Sequence, residues 1–311
     1  MDRITNILAV VDPTSTEQPA VDKAATLAMK FDARLELLAC DTKFARETRA
    51  AAQLAKGEAF SASLEPFVNS LAGPLRQRGL DVTTHCIRQD PLHVALCDWM
   101  KRSSADLVVK DTHYRSLLKR TFITNTDWYM IRELGLPLLL TKPRSWAEHP
   151  RIAAAVDPTH ANDKPLALDH RILEYGKAFA DSLQGELHAL HAYLPALLVA
   201  AAMSSAAAPV FTAVPPEALR AEEDAKRKEL LALTQPYGVQ PSHLHLESGT
   251  PSEFLSRVAA ECHLDLVVMG AIARSGLKQF YIGSTAERVL QWLPCDVLVV
   301  KSPDFGKSLP F

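Results

Sequence analysis

Ile7-Leu8-Ala9-Val10-Val11-Asp12-Pro13-Thr14 returns later in the chain as Ile152-Ala153-Ala154-Ala155-Val156-Asp157-Pro158-Thr159, with Val-Asp-Pro-Thr identical in the two copies. An internal repeat of this kind decides the architecture before any single residue does. Three further landmarks recur in the same order. Arg34-Leu35-Glu36-Leu37-Leu38-Ala39-Cys40 matches Glu186-Leu187-His188-Ala189-Leu190-His191-Ala192. Ala105-Asp106-Leu107-Val108-Val109-Lys110 matches Leu264-Asp265-Leu266-Val267-Val268-Met269-Gly270. Pro137-Leu138-Leu139-Leu140-Thr141-Lys142 matches Asp296-Val297-Leu298-Val299-Val300-Lys301.

Helix-period stretches separate these runs, and third strands are expected at Asp81 to Ile87 and Ser242 to Leu246. Short, continuously apolar runs such as Leu266-Val267-Val268-Met269 suit strands buried on both faces, and intervening helices imply right-handed crossovers in a parallel sheet. The fold class is therefore α/β, with two tandem doubly wound parallel-sheet domains. Pro143, Arg144, Trp146, His149 and Pro150 disfavour both helix and central strand. The domains are expected at residues 1–145 and 150–311.

The 311 residues suffice for about two cores. With 48% hydrophobic and 23% charged residues the composition is that of an ordinary globular chain, and disorder is excluded on that ground. A formal charge of -2 and a pI near 6.6 supply no field for a polyanion, so nucleic acid is not an expected partner. Five scattered cysteines form no CxxC pair, which fits a reduced, cytoplasmic chain. Met1 to Asn6 lacks a signal-peptide core, so no export is expected. Leu194 to Phe211 is interrupted by Pro195, Ser204, Ser205 and Pro209 and is too weak for a membrane span. It reads as an apolar insert, running to Pro216, whose apolar character needs burial: interface or core packing, a ligand pocket or lid, and a mobile loop are the readings it leaves open. A charged helix of about Glu217 to Leu233 follows.

After the fourth strand of the second half comes Gly270, then Ala273, Arg274 and Lys278, and then Gly283-Ser284-Thr285 before a helical pattern from Ala286 to Trp292. Small residues admit a ligand close to the backbone. A helix N-terminus offers unpaired N–H groups, a partial positive charge and here two hydroxyls, which suits phosphate oxygens. Arg274 or Lys278 would add a formal charge. In a doubly wound sheet, ligands sit beyond the strand C-termini where strand order reverses. If the first and fourth strands adjoin there, Asp157 and Gly270 face one crevice, with Asp157 accepting a hydrogen bond from a sugar or base. A strand-to-helix turn with a Ser/Thr cap is the plainer alternative.

These residues resemble the universal stress proteins, as two tandem copies similar to the E-type members. The family motif G-x2-G-x9-G-[ST] falls on Gly270, Ala273, Gly283 and Ser284, with alanine in place of the middle glycine. The resemblance implies a Rossmann-like fold and an adenine nucleotide (ATP or ADP, with or without Mg2+) in the second domain. It also implies that Asp157 and the backbone of Ala192 meet the nucleoside. The two domains would pack as an intramolecular pseudo-dimer, and two chains could associate as a homodimer. The protein would act as a stress-response binding or signalling module. In the first half the matching stretch, Lys110-Asp111-Thr112-His113-Tyr114 through Thr124-Asn125-Thr126-Asp127-Trp128, keeps neither glycine. Asp127 would compete with phosphate for the helix N–H groups, so no ordinary nucleoside triphosphate is expected there.

Other residues point less far. His188 and His191 lie on one expected strand and His243 and His245 alternate on another; without a third ligand they read as core or edge histidines, and no metal is expected. His113 with Asp111 and Asp127 lacks a nucleophile, so no catalytic residue is assigned. Cys262 and Cys295 read as packing thiols, and Lys226-Arg227-Lys228 as a solvated helix face. Two alternatives stay open: a slow nucleotide hydrolase or nucleotidyl-transfer enzyme, and a carrier of a nucleotide-linked or lipid-like molecule in the apolar insert.

Overall fold

A computed structural model describes residues 3–55, 63–115, 120–158, 166–205, 214–271, 284–302 and 305. The first half runs β1 (Asn6–Val11), α1 (Pro19–Phe31), β2 (Arg34–Cys40), α2 (Lys43–Ala55), α3 (Glu65–Gln77), β3 (Val82–Ile87), α4 (Leu92–Met100) and β4 (Leu107–Asp111). A hairpin, β5 (His113–Arg115) and β6 (Arg120–Phe122), precedes α5 (Asn125–Glu133) and β7 (Leu138–Thr141). The second half runs β8 (Arg151–Ala155), α6 (Leu166–Leu183), β9 (Glu186–Tyr193), α7 (Ala196–Ser205), α8 (Pro216–Thr234), β10 (Leu244–Ser248), α9 (Pro251–Glu261), β11 (Leu266–Ala271), α10 (Ser284–Trp292) and β12 (Asp296–Lys301).

The α/β alternation expected from the repeat is present, and so is the parallel pairing within each half. Three details differ from the sequence reading. The β5–β6 hairpin was not foreseen; its Tyr114, Thr121 and Phe122 favour extended backbone. Pro241 opens a 3-10 turn over Pro241–His243, because proline fixes φ and lacks an N–H, so β10 begins at Leu244 rather than Ser242. The apolar insert contains α7, whose alanine-rich sequence favours helix. Its Leu197, Leu198 and Val199, with Leu194 before it, stay exposed, so the burial expected of this segment is not provided by the described residues.

The largest difference is at the join. The strands form one ten-stranded sheet in the order β10-β9-β8-β11-β12-β7-β4-β1-β2-β3, which reads the same from either end by repeat position. Its centre is antiparallel: Val297 lies opposite Leu140, Leu298 opposite Leu139 and Val299 opposite Leu138. One apolar cluster on each face therefore runs through both halves. The first includes Ala9, Leu139, Ile152, Leu266 and Leu298 under α1 and α6; the second includes Leu138, Leu140, Val297 and Val299 under α5 and α10.

A buried polar knot locks this seam. The Asp296 carboxylate, at the head of β12, accepts from Lys23 Nζ at 2.6 Å, the Lys142 backbone N–H at 2.8 Å and Trp146 Nε1 at 2.8 Å. Lys23 also donates to the Lys142 carbonyl at 2.8 Å. A buried charge needs such saturation, since removing one partner of a buried pair costs about 3–5 kcal/mol. Two lysines then cross between the halves. Lys142, after β7, donates to the Leu293 carbonyl just past α10, and Lys301, ending β12, donates to the Ile131 carbonyl in the last turn of α5. Each closing strand thus satisfies an orphan carbonyl at the negative end of the other half's closing helix.

Burial pulls Lys301 from its ordinary 10.5 down to about 7, with Glu133 opposing, and Lys142 down to about 8. Between pH 7 and 10.5 the unfolded chain holds the Lys301 proton that the folded chain has shed, so this residue makes stability rise with pH across that window. Below pH 7 both states are charged and its contribution is flat. In denaturant titrations, the Lys301→Met protein should therefore lose its advantage over the parent as pH climbs from 7 to 10, by at most about 1.4 kcal/mol per unit. Parallel stability curves for the two proteins would contradict this.

Candidate functional site

Sheet order fixes where a ligand can sit. In the second half the chain leaves β8 for β9 on one side and later returns to β11 on the other, so β8 and β11 adjoin at the reversal. Their register, Ile152 with Leu266 through Ala155 with Met269, brings the C-terminal ends of both strands to one crevice, as the sequence reading required. Val156-Asp157-Pro158 leaves the sheet here. The Asp157 N–H donates to Asp169 Oδ1 at 2.9 Å, and Asp169 is fully buried at the start of α6. The Asp157 side chain, about a quarter exposed, lies 4.0 Å from His191 Nδ1.

His191 is a residue the sequence reading did not single out as part of the site. Its Nδ1 meets the Val156 carbonyl at 3.1 Å, tying down the exit from β8. That bond makes Nδ1 the donor and leaves Nε2 as an acceptor, which is buried with no hydrogen-bond partner among the described residues. Burial lowers the His191 pKa, with the Asp157 charge opposing. The next residue, Ala192, lies beyond the last paired residues of β8 and β9, Ala155 and Leu190. Leu190 turns its carbonyl toward β8, so strand alternation turns the N–H and C=O of Ala192 to the same side, over the crevice.

On the other wall, Gly270 is the fifth residue of β11, and a Cβ there would come within 2.6 Å of the Leu168 side chain on α6. Its bareness admits that leucine as well as any ligand. Ala273, Arg274 and Gly283 lie outside the described residues. Ser284 and Thr285 form the first turn of α10.

The first half has the same topology and a different lining. Asp12 matches Asp157, and its Oδ1 accepts from the Thr14 N–H at 2.8 Å and the Thr14 hydroxyl at 2.6 Å. By register, Asp111 stands where the second half has Gly270. Burial pushes its carboxyl up to about 6, against the hydrogen bond it accepts from Thr141 at 2.6 Å. The α5 N-terminus is closed by a capping box: Thr124 Oγ1 accepts from the Asp127 N–H, and the Asp127 carboxylate accepts from the Thr124 N–H. Asp127 is fully buried and pairs with Lys110 Nζ at 2.8 Å. The remaining pocket, lined by Asp12, Cys40, Phe44, Lys110 and Asp111 among others, holds about 120 Å³. Ordinary ligand sites hold roughly 300–1,000 Å³.

The remaining sequence candidates are packing or surface groups. Cys295 is buried and its thiol is pushed up to about 12 by burial. All five cysteines are free. Lys226 and Arg227 pair with Glu229 and Glu223 along α8. Asp127 pairs with Lys110 rather than assembling an acid–base set with Asp111.

Comparison with known proteins places this geometry. The model of the universal stress protein family matches residues 3–142 and again 151–301. The chain is 25% identical to universal stress protein E of Escherichia coli strain K12, across 96% of this chain and 94% of that one. It is likewise 25% identical to the universal stress protein E homolog of Haemophilus influenzae, across 96% and 98%. A solved Pseudomonas aeruginosa protein described as functionally unknown superposes with a TM-score of 0.75 at 26% identity, over 97% of this chain and 94% of that chain. A universal stress protein from Archaeoglobus fulgidus shares the fold at 17% identity, with a TM-score of 0.63 over 96% and 98%.

Because Leu168 fills the space beside Gly270, Gly270→Ala should destabilise the protein by about 1–3 kcal/mol through overpacking. Leu168→Ala added to it should recover part of that loss, to be read by urea unfolding. Additive losses in the double variant would show that the glycine is not there for the leucine.

Proposed function

The chain belongs to the universal stress protein family, as two tandem copies within one sheet, and from that premise we propose that its second half binds an adenine nucleotide while its first half does not. The observation that carries this reading is the contrast between two equivalent crevices. Around β8 and β11, Asp157 and the Ala192 backbone supply recognition groups for a nucleoside, and the chain from Gly270 leads to the N-terminus of α10 at Ser284. Around β1 and β4, the equivalent helix start is capped by its own Thr124 and Asp127, a lysine–aspartate pair occupies the floor, and the pocket is too small. In this reading the phosphates rest on the N–H groups of Gly283, Ser284 and Thr285, with Arg274 adding charge and Ala273 and Gly270 passing close beneath.

The protein then works as a binding module: nucleotide shifts its conformational population without being consumed. No catalytic residue is assigned. The five free thiols fit a reducing cytoplasm, and no described helix is long and apolar enough to cross a membrane.

Calorimetric titration of the full chain with ATP and with ADP, with and without Mg2+, should give one site per chain. Asp157→Ala should weaken binding ten- to a hundredfold, the value of about 1.5–3 kcal/mol for a hydrogen bond to a charged group, while Asp12→Ala leaves it unchanged. Flat titrations with every purine nucleotide, or two sites per chain, would overturn the reading. Steady turnover of ATP abolished by Asp157→Ala would replace the binding module with a hydrolase.

A further inference from the structure

Toward the opposite end of β9 from Ala192, with His188 about 13 Å and Glu186 about 20 Å away by strand rise, four titratable side chains converge at the sheet edge. Glu186 and His188 alternate onto one face of β9. His243 comes from the 3-10 turn that precedes the edge strand β10, and His245 from β10 itself. His188 sits between the other two imidazoles, its ring centroid 4.3 Å from that of His243 and 5.3 Å from that of His245. One ligand atom each from Glu186, His188 and His243 lies within 4.8 Å of the others.

The His188 side chain is only 7% exposed. Its Nδ1 meets His245 Nε2 at 3.0 Å. Its Nε2 is buried with no hydrogen-bond partner among the described residues, 3.6 Å from Glu186 Oε2. An unmet buried nitrogen keeps its full desolvation penalty, and ring stacking does not repay it. A cation held between Nε2, the carboxylate and His243 does.

We propose that Glu186, His188 and His243 form a binding site for a zinc-class divalent transition metal at the outer edge of the second half. Two imidazoles and one carboxylate suit such a borderline ion and disfavour calcium or magnesium, which prefer all-oxygen shells. Three protein ligands leave the fourth tetrahedral position to water. Bonds of about 2.0–2.2 Å require the ligand atoms to close to about 3.3 Å. Glu186 can supply this: it is exposed, and its 3.3 Å pair with Arg151 is a surface ion pair of small value. His245 is a positioning residue. By accepting from His188 Nδ1–H it fixes the tautomer that offers Nε2 to the metal. The ion would bind β10 to β9 where the edge strand begins, a site independent of the nucleotide crevice.

The test uses the full chain, stripped with a chelator and titrated with Zn2+ alone against a chromophoric competitor. One equivalent should bind. His243→Ala, on the partly exposed turn, should remove that equivalent, and His245→Gln should weaken it ten- to a hundredfold without abolishing it. Zn2+ should raise Tm for the parent and not for His243→Ala. Co2+ in place of Zn2+ should give visible bands of a nitrogen and oxygen site, without thiolate charge transfer. The proposal fails if the parent takes up no Zn2+ in competition. It also fails if uptake is the same in His243→Ala, or if the Co2+ spectrum reports cysteine ligands. ATP titration of His243→Ala should match the parent, so failure here and failure of the nucleotide reading are separate results.

Discussion

Everything in this molecule is arranged about an antiparallel pairing of two strands that would otherwise be exposed edges. Leu138–Leu140 and Val297–Val299 are apolar on both faces, and an unpaired strand of that kind invites aggregation. Pairing them consumes both edges and makes one core on each face of the sheet. It also forces a carboxylate, Asp296, and three lysines, Lys23, Lys142 and Lys301, into the interior. Those polar groups are accommodated because each has a geometrically specific partner from the other half. The crossed lysines tie each closing strand to the other half's closing helix.

Because the seam fixes both halves symmetrically, it cannot itself make one crevice differ from the other. The difference is local and electrostatic. In the first half, carboxylates of the protein meet the needs that a phosphate would meet: Asp127 caps α5, Lys110 neutralises Asp127, and Asp111 stands where the second half has a bare glycine. In the second half the corresponding strand end carries Met269 and Gly270, and the Asp157 N–H is held by Asp169, with His191 beside its side chain. Duplication supplies two equivalent frames, and in the first a handful of side chains fills the helix end.

Within each half, the strand order was legible because Val-Asp-Pro-Thr and the three later landmarks recur in register, and because continuous apolar runs separated by helices leave few parallel topologies. The adjacency of Asp157 and Gly270 followed from that order alone. An intramolecular pseudo-dimer was implied by the family resemblance, but its route through the two closing strands was not, although Leu138 to Thr141 and Asp296 to Lys301 are as apolar as central strands and fall last in each repeat, where an edge is expected. The role of His191 was hidden because a histidine's second hydrogen bond is decided by a carbonyl on a neighbouring strand. The convergence of His188 and His243 was hidden for a related reason. Pro241 displaces the start of β10, so a histidine expected on the strand sits instead in the turn beside β9.

The central claim is that one anion-accepting helix end is open and its twin is closed. Amide hydrogen exchange on the intact chain, with and without ATP, reads it directly. The first-turn amides of α10, from Ser284 onward, should gain protection when ATP is added, while the amides of Thr124, Asp127 and Trp128 at the start of α5 should be protected equally in both conditions by the bonds they already make there. ATP-dependent protection at α5, or none at α10, would contradict the account.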